Sequence, residues 1–97
     1  MTIQLANGAR VLRASIDYTA QPGMPPHRGL VLALKGENSL RPEYVVWNIY
    51  KDEDQREWDA EVGDYFGLSQ EDMAIYAYGV RLRRHFLHET ALRAVRA

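Results

Sequence analysis

Residues 43–50 read EYVVWNIY, and the fold turns on how this run is interpreted. Valine, isoleucine, tyrosine and tryptophan dominate it, residues that fit a pleated, half-buried surface. As a strand it places Val45, Trp47 and Ile49 on one face and Tyr44, Val46, Asn48 and Tyr50 on the other. Immediately upstream, Gly29–Lys35 (GLVLALK) is a continuous apolar run closed by Gly36. It reads as a central strand with Leu30, Leu32 and Leu34 inward, joined to the first by the turn GENSLRP. Downstream, the charged stretch KDEDQRE (51–57) reads as a hairpin loop. Trp58, Ala60 and Val62 then alternate inward against Asp59 and Glu61, and Gly63 permits a bulge or the strand's end. The expected core therefore joins Trp47 and Trp58 with Val45, Ile49, Ala60 and Val62, all under the helix.

Further out, Arg10–Tyr18 alternates as a half-buried strand, with Leu12, Ala14, Ile16 and Tyr18 on one face. Residues 2–6 (TIQLA) precede Asn7-Gly8, a dipeptide that favours a type I′ hairpin. Residues 19–27 hold three of the four prolines and form a loop. Short strands following one another with no helix between them predict a four- to five-stranded antiparallel β-meander.

The meander ends in helix-forming sequence. Ser69 fits an N-cap, with Glu71 and Asp72 complementing the positive end of the dipole. No proline follows, so a helix over about 70–95 is expected, roughly 39 Å long. A 97-residue domain spans only about 33 Å. The helix must therefore overhang the sheet or break, most simply at Gly79. At 100° per residue it carries two apolar stripes. Met73, Tyr76, Ala77, Val80, Leu87 and Ala91 form one; Ile75, Tyr78, Leu82 and Phe86 form the other, on the opposite side. One sheet covers one stripe. The expectation is an α+β fold with a long or kinked C-terminal helix packed on one face. The second stripe and the outer sheet face, Ile75, Tyr78, Leu82, Phe86, Tyr44, Val46 and Tyr50, are then an interface for a protein partner or a homodimer.

Composition narrows the function. The chain is 46% hydrophobic and 26% charged, ordinary globular values for a single domain over 1–97, with the meander in 1–66 and the helix in 69–95. It has no cysteine, which excludes disulfides, zinc ribbons and thiol catalysis. No run approaches a membrane span, and MTIQLANGAR lacks the apolar core of a signal peptide, so a cytoplasmic protein is expected. Arginine and alanine abundance points to a high-GC genome.

No motif indicates an enzyme or a cofactor. His85 and His88 stand at i and i+3, but two ligands do not make a metal site. Asp52, Glu53 and Asp54 resemble the start of a calcium loop, yet Glu57 and Gly63 stand where glycine and glutamate belong. Asp59 and Glu61 read as solvated acids rather than an acid/base pair. Charge is uneven: residues 35–72 sum to −7 and residues 73–97 to +4. Arg81, Arg83 and Arg84 are the candidate nucleic-acid contacts, a secondary reading because the pI is only about 6.3. The simpler reading pairs these arginines with the acidic 52–64 segment.

The runs Leu5-Ala6-Asn7-Gly8, Leu30-Val31-Leu32-Ala33-Leu34, Tyr44-Val45-Val46-Trp47-Asn48 and Glu61-Val62-Gly63-Asp64-Tyr65-Phe66 resemble small uncharacterised proteins of phages and mobile elements of high-GC Gram-positive bacteria. The resemblance covers roughly residues 3–66. It implies an accessory gene product, with inhibition of host defence among the open roles, and carries over no site residues. The expectation is a small non-enzymatic protein-interaction module.

Overall fold

The computed structural model describes residues 2–17 and 22–96, with helix side chains described through Arg84. Four strands, β1 (Arg10–Asp17), β2 (His27–Lys35), β3 (Glu43–Lys51) and β4 (Asp59–Gly67), form one antiparallel sheet in the order β1-β2-β3-β4. A 3-10 turn (Leu68–Gln70) leads into helix α1 (Glu71–Arg96), which packs on the sheet. The α+β meander expected from the apolar runs is thus present. The helix continues through Gly79 without interruption for 26 residues. It is the longest element of a molecule measuring 51 × 32 × 21 Å.

Strand pairing decides which residues share a face. Val31 sits opposite Trp47 and Ala33 opposite Val45, while Leu30 faces Asn48 and Leu32 faces Val46. The Leu30-Leu32 set and the Val45-Trp47-Ile49 set therefore lie on opposite faces, and both are buried. The helix covers the first: Leu30, Leu32 and Val46 pack with Ala74 and Tyr78. The second, with Val31, Ala33 and Trp58, is covered by Leu5 and Ile3 of the N-terminal segment. Trp47 and Trp58 are buried as expected, but on the face away from the helix.

The N-terminal segment explains the difference. Residues 2–6 do not pair with β1 as a hairpin. Leu5 makes a parallel bridge to Trp58, with the Ala6 N–H donating to Trp58 O (2.9 Å) and the Trp58 N–H to Gln4 O (2.8 Å). A type I′ turn needs positive φ at both central residues. Only Gly8 has it (79°); the Gly8 N–H donates to Leu5 O, and Asn7 Oδ1 accepts the Ala9 N–H. The turn aims the segment across the back of the sheet, where Leu5 is buried. Fully burying such a side chain contributes about 1.5–3 kcal/mol, a gain that a solvated fifth strand would forgo.

Two bulges shift the alternation. One, between Val11 and Arg13, turns Val11 toward the back-face core and leaves Leu12 exposed. The other opposes Val62 and Gly63 of β4 to Trp47 alone. Val62, expected in the core, is 69% exposed, with φ at 54°. A β-branched residue in this left-handed region is strained by about 1–2 kcal/mol. Gly63 is required by contact: a Cβ there would lie 2.7 Å from Trp47 Nε1.

The helix start also differs in detail. Ser69 lies inside the 3-10 turn and is not the cap. The turn begins after Gly67, whose N–H donates to Gln70 Oε1 (3.1 Å).

Candidate interaction surface

Helical spacing sets Ala74, Tyr78 and Leu82 on one side of α1, with Ile75 beside them. That side meets the sheet. Val46, Ala74 and Tyr78 are buried, and Tyr44, Ile75 and Leu82 pack around them. Tyr50 is half-buried. The residues expected to form an interface, Tyr44, Val46, Ile75, Tyr78 and Leu82, instead join the sheet to its own helix. The reason is the inverted sheet: the Tyr44-Val46 face is the one the helix occupies. Phe86 lies outside the described side chains.

Polar groups fix this layer at both ends. Ser15 Oγ and the Tyr78 hydroxyl share a hydrogen bond of 2.7 Å. Near the helix start, the Tyr44 hydroxyl lies beside the Glu71 carboxylate. The Tyr44 pKa is raised above its ordinary 10.0, chiefly by desolvation and then by the Glu71 carboxylate through its charge and its acceptor oxygens, with Arg10 opposing.

Arg81 is the most heavily bonded side chain on the described helix. Its guanidinium donates to Val46 O (2.9 Å), Val62 O (3.0 Å), Asn48 Oδ1 (2.6 Å) and Asp64 Oδ2 (3.3 Å). The β4 bulge turns carbonyls toward the helix, and the planar fork of arginine meets several of them together. Arg81 therefore anchors the helix to the bulge, and its Asp64 contact joins the basic helix to the acidic segment. Of the three candidate nucleic-acid contacts, Arg83 and Arg84 are exposed. Their helical spacing places them on the outer half of α1. His85 and His88 lie outside the described side chains. Among the described residues no group of three or more metal-ligating side chains occurs, and no helix is long and apolar enough to cross a membrane.

The opposite face of α1 carries the first stripe. Met73 is 54% and Tyr76 75% exposed, and Val80 is half-buried on the same side, while Ala77 of that stripe packs against the sheet-side core. Sequence reasoning identified both stripes but assigned the wrong one to solvent. The signal was present in the continuous apolar run of β2, since a strand apolar at every position is buried on both faces. The Asp64 contact of Arg81 was legible as charge pairing with the acidic segment, but its bonds to the Val46 and Val62 carbonyls left no comparable signal, because a bulge sets them. No family model, curated protein or solved structure matches this chain.

Proposed function

We propose that this chain is a small protein-interaction module that binds through the outer face of α1 and does not catalyse a reaction. The observation that carries the proposal is the exposure of Met73 and Tyr76, in helical register with Val80, on a helix whose other side is fully engaged by the sheet. Exposed methionine and tyrosine are well suited to interface anchors, since both bury large, adaptable area on docking. A compact binder of this kind fits an accessory product of a phage or mobile element, including one that inhibits host defence. The nucleic-acid alternative keeps only Arg83 and Arg84, because Arg81 is engaged with the bulge.

A photo-crosslinking residue at position 76 tests the reading in cells of the native host. The expected result is protein adducts from position 76 and none from an exposed control at Arg56. Equal labelling from both sites, or none from 76, would overturn it.

A further inference from the structure

The occupant of the outer helix face can be argued from spacing, charge and a glycine. Resting on the protein-interaction reading, we propose that it is a second copy of the same chain, docked as an antiparallel two-fold helix pair with its axis near Val80.

Met73, Tyr76 and Val80 follow a 3-4 spacing along the helix. This repeat is the seam of paired helices, and it runs on the side opposite Ala74, Tyr78 and Leu82. Gly79 adds an independent observation. It sits exposed in the helix interior, where glycine costs about 1 kcal/mol relative to alanine. Among the described residues nothing lies within 4 Å of the position a Cβ would take, so no contact among them requires it. Gly79 stands beside Val80 with no side chain, which allows a second helix to approach closely there.

Charge selects the orientation. The first turn exposes two acids, Glu71 beside Tyr44 and Asp72 on the outer side, and the exposed bases of the outer half are Arg83 and Arg84. A parallel pair would set arginines beside arginines. An antiparallel pair about Val80 brings Tyr76 level with Arg84 of the other copy, a cation–π arrangement, and puts Asp72 within reach of that arginine. Two-fold symmetry makes each contact twice. A single helix seam is small by the standard of stable interfaces, so micromolar dissociation is expected.

The chain has no native cysteine, so single-cysteine variants report geometry cleanly. Sedimentation of the wild-type full chain from 1 to 200 μM should show a monomer–dimer equilibrium. Tyr76→Glu should weaken it at least tenfold, with the monomer's far-UV spectrum unchanged. Under mild oxidation Val80→Cys should form linked dimers at least fivefold faster than Met73→Cys, because only residues near the axis meet their own copies. Asp72→Arg should weaken the dimer and Asp72→Arg with Arg84→Glu should restore it. A monomer at 200 μM overturns the proposal, as does cross-linking from position 73 at the same rate as from position 80. A monomer whose position 76 still labels another protein in the host rejects the second copy alone. A monomer that labels nothing rejects the interaction reading as well.

Discussion

Val62 shows how a single residue's backbone shapes the molecule. Its left-handed φ of 54° creates the bulge, and the bulge presents Val62 O to Arg81 at 3.0 Å. The side chain itself is largely exposed, so its strain is not offset by burial. Val62→Gly should therefore raise stability by about 1 kcal/mol in a thermal melt, since glycine adopts this conformation freely. Arg81→Ala should lower it by about 2 kcal/mol, leaving the buried Val46 carbonyl without its guanidinium donor. Arg81→Lys should recover little of this, because an ammonium cannot reproduce the fork. Tyr44 reports the helix start. With its pKa raised in the folded state, the neutral hydroxyl is the stabilising form. Its contribution is complete below pH 10 and declines as pH climbs through the folded value. Absorbance at 295 nm should show Tyr44 titrating late, and Glu71→Gln should bring it partway back toward pH 10.

Among elements, β2 and β3 were legible from their apolar runs, and the hairpin between them from Gly36 and its polar turn. Which face the helix takes was not, because both faces of both strands are apolar and alternation alone cannot rank them. The two bulges were half legible: Gly63 signalled the second, while Leu12 gave no sign of the first. The N-terminal segment was least legible, since a single leucine carries its docking and Asn7-Gly8 pointed to a hairpin. Leu5→Ala tests its role. Leu5 belongs to the back-face core with Trp47 and Trp58, so the substitution should cost about 2–5 kcal/mol and shift tryptophan emission to the red. The helix entry gives a milder contrast. Gln70→Ala should cost about 1 kcal/mol by removing the acceptor for the Gly67 N–H, and Ser69→Ala less.

At the scale of the molecule the sheet is shared between two cores that differ in how they are covered. A long helix closes one face and a short irregular segment the other. Both tryptophans lie in the back-face cluster, whereas Tyr44 and Tyr78 lie under the helix, so fluorescence and far-UV circular dichroism report the two sides separately. β2 contributes Leu30 and Leu32 to one side and Val31 and Ala33 to the other; β3 contributes Val46 to one and Val45, Trp47 and Ile49 to the other. Losing the helix would bare Leu32 and Val46 and loosen the strands that hold Val31 and Trp47 in place. A sheet whose two inner strands each serve both cores cannot release one face at equilibrium and keep the other packed. Urea unfolding followed by tryptophan emission and by helical ellipticity should therefore give coincident transitions. A helical transition that precedes the loss of tryptophan burial would show that the two faces melt independently.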